Sequence, residues 1–199
     1  MHYFKNNSGS DTKRKIFQVS AKLFAEKGYN GVSMREISEN SGVTKPTIYY
    51  YFKNKEGIYK ALVEKGLFDA EDAMERVIKM KIPAKQKLVA LTKLRFNQVL
   101  KHPEFSKFYI SLLFTSEKLP FLESYRLLVD QHREKFMSII EDGINSKEFG
   151  ASAKPLLAVE IIGGVIFHYV IQQLKSDKKI LTDKLAEDII ELIFKGLNE

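Results

Sequence analysis

The stretch from Ser33 to Lys55, SMREISENSGVTKPTIYYYFKNK, determines how this chain is organised. Ser33 and Glu36 have the three-residue spacing of a capping box, which predicts that a helix begins just after Ser33. Gly42 suits the left-handed backbone conformation that ends a helix, because it has no Cβ. Thr44 is then the predicted cap of the next helix. The stretch therefore predicts two short helices joined by a tight turn.

The second of these helices is predicted to have one buried face and one unusual exposed face. Ile48 and Phe52 are four residues apart and are expected to point inward together. Lysine, tyrosine and the methyl groups of threonine and proline suit the base edges and phosphates of a DNA major groove. A solvated helical hairpin with a surface aromatic patch is the alternative. The outward residues are Lys45, Thr47, Tyr49 and Tyr50.

The same stretch resembles the DNA-binding segment of the TetR/AcrR family of bacterial transcriptional regulators. The matching residues are Gly42, Val43, Pro46, Thr47, Ile48, Tyr49, Tyr51, Phe52, Lys53, Asn54 and Lys55, preceded by Phe24, Gly28, Tyr29 and Ser33. The resemblance covers about 50 residues; beyond them, only length and helical layout are similar. Tyr50 occupies a place that varies within the family, so the operator sequence does not follow from the resemblance.

Helical periodicity extends through the whole chain and predicts an all-α fold of nine helices, with no strand or internal repeat. The resemblance implies an N-terminal helix-turn-helix domain, residues 1–54, and a C-terminal effector-binding and dimerisation domain, residues 55–199. The first helix is predicted over Asp11–Lys27. The later helices are predicted over Lys55–Met80, which links the domains, and over Ala84–Lys101, Glu104–Thr115, Pro120–Ser146, Lys154–Leu174 and Thr182–Leu197.

The excess of positive over negative charge is concentrated in the third of the chain that contains the helical pair. Residues 1–65 hold 12 lysines and arginines against 6 acidic residues, whereas residues 66–199 hold 20 against 19, within a net charge of +7. This asymmetry is typical of a nucleic-acid-binding segment, and a basic membrane-surface patch is the competing interpretation. There is no cysteine and no apolar signal-peptide core, so we expect a cytoplasmic protein.

The predicted DNA contacts follow from the helical pair and from the resemblance. Base edges or methyl groups are assigned to Lys45, Pro46, Thr47 and Tyr50, and phosphates to Ser33, Tyr49, Tyr51, Lys53 and Lys55. Arg35 is expected to contact a base or a phosphate, and Thr44 lies at the start of the helix that enters the groove. The cluster Lys13–Lys15 is either a further phosphate contact or a solvated basic turn.

The last two helices are predicted to form a dimer interface. Gly163 and Gly164 lie in the middle of a helix, where each costs roughly 1 kcal/mol relative to alanine, and such a cost usually reflects close helix packing. Both helices are apolar around more of their surface than one contact requires. A purely intramolecular core is the alternative. The interface residues are predicted to be Gly163, Gly164, Phe167, Ile171, Ile189, Ile190 and Ile193.

The middle helices combine many aromatic residues with a few polar groups, as expected for a ligand cavity, although core and surface positions explain any single residue. The predicted lining is Arg95, Phe96, Asn97, His102, Phe105, Tyr109, Leu113, Tyr125, His132 and His168. The resemblance implies a small effector there, and the composition favours a mainly apolar one.

We therefore predict a dimeric, ligand-responsive repressor that binds a palindromic operator and has no cofactor, bound metal or membrane partner. No HExxH, GxSxG or phosphate-binding glycine loop is present, so an enzyme is the least favoured alternative. The apolar run Pro155–Leu174 contains Glu160 and His168, which favours a buried helix over a membrane span. A helical interaction module without DNA binding is the other alternative.

Overall fold

The computed structural model describes residues 8–116 and 119–196, which form nine helices and no strand. The predicted all-α class is confirmed, and no predicted helix end differs by more than three residues. Leu197, the predicted end of the last helix, lies outside the described residues. The helices are α1 (Ser8–Lys27), α2 (Met34–Ser41), α3 (Lys45–Phe52), α4 (Lys55–Ile78), α5 (Ala84–Lys101), α6 (Pro103–Phe114), α7 (Pro120–Asn145), α8 (Pro155–Leu174) and α9 (Asp183–Gly196).

The chain forms two compact units that differ from the predicted functional division at residue 54. The first contains the described residues up to Ala70 together with those from His102 to Arg126, and the second contains Glu71–Lys101 and the described residues after Arg126. Because α4 and α7 are continuous helices, each contributes to both units. The division between a DNA-binding and an effector-binding part stays a prediction.

The first unit has an aromatic core that fixes α3 on α1 and α4 on α6. Phe17 meets Phe52 edge-on with ring centroids 5.3 Å apart, and Tyr59 meets Phe108 at 5.1 Å. Helix α6 packs closely along α1, a long-range pairing that the sequence did not predict. The largest fully buried side chains of this unit are Ile16, Phe17, Phe24, Ile37, Ile48, Ile58, Leu62, Phe108 and Leu112.

The second unit is built around α5, α8 and α9 and is closed by the segment between α7 and α8. In that segment Phe149 is buried and stacks on Phe194 with ring centroids 3.8 Å apart. Glu148 accepts hydrogen bonds from the backbone N–H groups of Ala84 and Lys85, both at 3.0 Å, and so satisfies the start of α5.

Helix α8 is less buried than predicted. By length and composition α8 could cross a membrane, but one such helix is only weak evidence of a membrane protein. Only 22% of its most apolar 18 residues is buried. The expectation of a buried helix was therefore wrong for the single chain. Leu156, Leu157, Ile161 and Phe167 are exposed on α8.

Candidate DNA-binding interface

Side chains hold α2 and the turn after it in a fixed geometry. The predicted capping box is confirmed, because Ser33 Oγ accepts from the Glu36 N–H at 3.2 Å and Glu36 accepts from the Ser33 N–H. Gly42 has φ 65°, the left-handed conformation that the turn requires. Ser38 Oγ donates to the Val43 carbonyl at 2.8 Å and ties the turn back to α2.

The start of α3 differs in one detail from the prediction. Thr44 is the N-cap residue by backbone geometry, but its side chain makes no capping hydrogen bond. Its Oγ1 lies 2.9 Å from Thr47 Oγ1, which makes the two hydroxyls hydrogen-bond partners. Pro46 occupies the first turn, and Ile48 is fully buried, as predicted. Thr44 is therefore a cap in position only.

The outward face of α3 is polar and aromatic, as predicted. Tyr50 is 82% exposed and Tyr49 is 46% exposed, whereas Phe52 at the end of the same helix is buried. Lys45 is exposed beside them. Exposed tyrosines on a helix anchored by Ile48 and Phe52 form a rigid surface, with donors and acceptors at the tips of the side chains.

Two further residues continue this surface at the end of α3. Tyr51 is half-buried, its ring lies 5.2 Å from that of Tyr50, and Lys13 Nζ from α1 lies 5.3 Å above it. Lys53 ends α3 with φ 62°, an uncommon conformation for a residue with a Cβ, and its side chain is exposed. The contact between Lys13 and Tyr51 places the start of α1 beside α3.

Three further predicted DNA contacts also have hydrogen-bond partners within the chain. Arg35 Nε is 2.7 Å from Glu39 Oε1, and this hydrogen bond raises the pKa of the guanidinium. Lys55 Nζ donates to the Tyr29 carbonyl at 2.7 Å and lies 4.3 Å above the Tyr29 ring. Ser33 Oγ is used by the capping box. These side chains therefore support the geometry of the unit.

The predicted effector residues are divided between the two compact units. His102, Phe105, Tyr109, Leu113 and Tyr125 belong to the first unit, and Arg95, Phe96, Asn97, His132 and His168 belong to the second. Four of the predicted lining residues are exposed, which does not fit the lining of an enclosed cavity: Asn97, His102, Leu113 and His168. Phe96 is 2% exposed and belongs to the core.

Two of these residues make consecutive hydrogen bonds in the first unit. Tyr125 Oη donates to the Tyr109 carbonyl at 3.3 Å, and Tyr109 Oη donates to the Leu62 carbonyl of α4 at 3.1 Å. A Cβ added at Gly66 would overlap the Tyr109 ring, so Gly66 allows α4 and α6 to approach closely here.

A cluster of ion pairs in the second unit was missed by the sequence analysis. His132 Nε2 is 3.0 Å from Glu71 Oε2, and Lys135 binds both Glu71 and Glu75, the latter at 3.1 Å. The hydrogen bond from Lys135 holds the pKa of Glu71 below its usual range. The residues are spaced by helical turns in sequence, but their pairing across about 60 residues leaves no sequence signal.

The structure divides the predicted interface residues into exposed and buried groups. Gly163 and Gly164 are exposed, and an added Cβ would meet nothing within 4 Å at either of them. Ile189 is 5% exposed and Ile190 fully buried, because α9 packs these side chains against its own bundle, so both are removed from the predicted interface. Phe167 is exposed, Ile171 and Ile193 are half-buried, and Leu192 on α9 is 71% exposed.

Within the described residues, no group of three or more histidine, aspartate or glutamate side chains is placed to hold a metal ion.

Comparison with known proteins identifies the class of this chain. Residues 16–62 match the model of the family described as bacterial regulatory proteins, tetR family. The fatty acid metabolism regulator protein of Bacillus subtilis (strain 168) is 27% identical over 183 residues, which cover 92% of this chain and 94% of the relative.

Solved structures give the same result. The transcriptional regulator FadR from Bacillus subtilis, in complex with stearoyl-CoA, superposes with a TM-score of 0.71 and 26% identity over 92% of this chain and 98% of that chain. A ketosteroid transcriptional regulator of Mycobacterium tuberculosis shares the fold, with a TM-score of 0.79 at 15% identity over 98% of this chain and 97% of that chain. The match at residues 16–62 includes the whole of α2 and of α3, the helix that presents the exposed tyrosines. Residues 16–62 therefore form a DNA-binding domain of the TetR type, and the chain is a DNA-binding transcriptional regulator that is similar to TetR-family proteins over most of its length.

Proposed function

We propose that this regulator is a homodimeric repressor that places α3 in the major groove of a palindromic operator and is released by a fatty acyl-CoA. The observation that carries the proposal is the rigid exposed face of α3, with Tyr50 82% exposed above the buried anchors Ile48 and Phe52. A helix held on buried anchors can present the same side chains to DNA each time it binds.

On this model the exposed face divides into base contacts and phosphate contacts. Lys45, Pro46, Thr47 and Tyr50 point away from the core and supply the contacts to bases. The flanking side chains hold the phosphates, namely Ser33, Arg35, Tyr49, Tyr51, Lys53 and Lys55, and Lys13 joins them through its place above Tyr51. Thr44 positions Thr47 through their shared hydroxyl contact.

The homodimer is proposed to form through the exposed face of α8. Two glycines in the middle of a helix cost roughly 1 kcal/mol each, and no packing within the chain requires them, because a Cβ at Gly163 or Gly164 would meet open space. The cost is understandable when a partner helix approaches there. Leu157, Ile161 and Phe167 are exposed on the same helix, and burying them against a second copy would remove a large apolar patch from water.

The proposed effector combines an apolar chain with a charged head. The 26%-identical relative from Bacillus subtilis was solved with stearoyl-CoA, which supports the same class of ligand for this chain. The apolar acyl chain agrees with the effector predicted from the middle helices, whereas the phosphates of coenzyme A were not predicted. We expect binding without turnover of the thioester, in the cytoplasm where such compounds are made.

The DNA-binding part is tested by selecting duplexes from a random pool with the purified full-length protein. We expect enrichment of a palindrome whose half-sites are about one helical turn apart. Lys45→Met should relax discrimination at one base pair by roughly 5- to 150-fold, the equivalent of about 1–3 kcal/mol for a good base contact. A pool that shows no enriched sequence would contradict the proposed operator binding.

The effector part is tested on the selected duplex. Stearoyl-CoA should lower operator affinity, whereas free coenzyme A and stearate, each lacking one half of the ligand, should have much weaker effects. A typical coupling of 1–3 kcal/mol corresponds to roughly 5- to 150-fold. Equal effects of stearate and stearoyl-CoA would show that the thioester is not recognised, and mass spectrometry of the recovered ligand would detect any hydrolysis.

A further inference from the structure

The ion-pair cluster of the second unit connects α4 to α7 through alternating charges. Glu71 uses both carboxylate oxygens, one for His132 at 3.0 Å and the other for Lys135, and Glu75 likewise binds Lys135 at 3.1 Å and Lys79 at 3.0 Å. Glu75 therefore bridges two lysines, Glu71 bridges Lys135 and the imidazole of His132, and Lys135 bridges two carboxylates. We call this arrangement the α4–α7 ladder.

The ladder fits one register of α4 along α7. Glu71 and Glu75 are one helical turn apart and share the ammonium group of Lys135. A slide of α4 by one turn would bring Lys79 or Leu67 into the place of one carboxylate. The first replacement puts two cations together and the second leaves the ammonium facing an apolar side chain, so both slides weaken the ladder.

The ladder begins at the residue where α4 passes from one compact unit to the other. Ala70 is the last α4 residue of the first unit, and Glu71 is the first of the second. The helix is continuous from Lys55 to Ile78, so Glu71 belongs to the same helix as Lys55, which lies three residues after the end of α3. In the first unit α4 is held separately, by the hydrogen bond from Tyr109 Oη to the Leu62 carbonyl.

We infer that Lys135 is a positioning residue for DNA binding: through Glu71 and Glu75 it fixes α4 in one of the two forms between which operator and effector select. This inference rests on the proposed function. A change that weakens the ladder shifts the balance between the two forms without touching either ligand. Operator affinity and effector affinity must then change in opposite directions, because each ligand prefers a different form.

The chain provides a closely matched control in Lys93. Lys93 binds Glu187 at 2.6 Å and lies 3.9 Å from Asp183, so it also bridges two carboxylates, and its side chain is 29% exposed against 28% for Lys135. It lies in the same unit but connects α5 to α9 instead of holding α4. Loss of either lysine removes a comparable pair of contacts, and only one of the two losses affects α4.

The experiment compares Lys135→Met, Lys93→Met and Lys135→Arg with the wild-type full-length protein, using the selected operator duplex and stearoyl-CoA as separate probes. Lys135→Met should change the two affinities in opposite directions, by about two- to tenfold, as expected for the loss of two partly exposed ion pairs. Lys93→Met should leave both affinities within about twofold of wild type, and Lys135→Arg, which keeps the charge, should restore both.

Three results would overturn the inference: unchanged affinities in Lys135→Met, changes of both affinities in the same direction, or an equal effect of Lys93→Met. If the wild type binds the operator but not stearoyl-CoA, the acyl-CoA proposal fails, and unchanged operator affinity in Lys135→Met then overturns the inference by itself. If the wild type selects no duplex, the proposed function fails and the inference falls with it.

Discussion

Replacement of Lys55 by methionine should lower both stability and DNA affinity, whereas the same change at Lys53 should lower DNA affinity alone. Both lysines follow α3 and both are proposed to hold phosphates. Only Lys55 is tied into the fold, by a 2.7 Å hydrogen bond to the Tyr29 carbonyl and by its position above the Tyr29 ring. Lys53 is exposed at the end of α3.

The expected loss of stability follows from these two contacts. A hydrogen bond from a charged donor contributes about 1.5–3 kcal/mol, and a cation–π contact at an exposed site about 0.5–1 kcal/mol. Both involve the same ammonium group, and Lys55 is only half-buried, so the contributions do not add fully. We expect a loss of about 1.5 kcal/mol, which for a chain of this length lowers Tm by about 3–6 °C.

Chemical denaturation and operator binding over a range of salt concentrations measure the two effects separately. Each phosphate contact contributes about 0.9 to the slope of log affinity against log salt, so each variant should reduce that slope by about one. Lys53→Met should unfold like the wild type. If Lys55→Met is as stable as the wild type, the contact with Tyr29 does not support the fold and the reasoning is refuted.

Three further predictions concern local contacts. Ser33→Ala should cost about 1 kcal/mol in denaturation because it removes a side-chain cap, whereas Thr44→Ala should cost only a few tenths, because Thr44 makes no capping bond; equal losses would contradict the assigned caps. Ile161→Glu, on the exposed face of α8, should give folded monomers by ultracentrifugation with weaker operator binding; a dimer would place the interface elsewhere. Lys135 lowers the pKa of Glu71 in the folded state. The stability that this pair contributes is therefore present above about pH 4.3 and is lost as the pH falls through the lowered pKa. Glu71→Gln should flatten the acid side of a Tm-versus-pH curve.

The parts of the fold that the sequence predicted are local. The capping box spans three residues, the turn depends on one glycine, and the anchors Ile48 and Phe52 are one turn apart, so each contact is determined by spacing along the chain. Thr44 shows the limit of such reasoning. Threonine is a common cap, but the Thr44 hydroxyl bonds the hydroxyl of Thr47 and not a backbone N–H, and spacing along the chain cannot decide between these two partners.

Contacts between distant segments could not be predicted in the same way. Lys135 and Glu71 are 64 residues apart, and many other carboxylates could have been the partner of that lysine. The predicted effector residues show the same difficulty. Aromatic and polar side chains on the middle helices were grouped by composition, but α6 packs on α1 while α5 packs on α8 and α9, and this separates the group between two compact units.

The last two helices show why a wide apolar stripe is ambiguous. The pattern on α9 indicated more than one contact but did not predict which residues each contact buries. Ile189 and Ile190 are buried where α9 packs on α5 and α8, while Leu192 remains 71% exposed. On α8 the two glycines indicate which face a partner would contact, because they destabilise the helix and no packing within the single chain requires them. Helix α8 resembles a membrane span because it is apolar and largely uncovered within the single chain. The proposed second copy of the chain would cover it, and the Ile161→Glu variant tests that proposal on the exposed face.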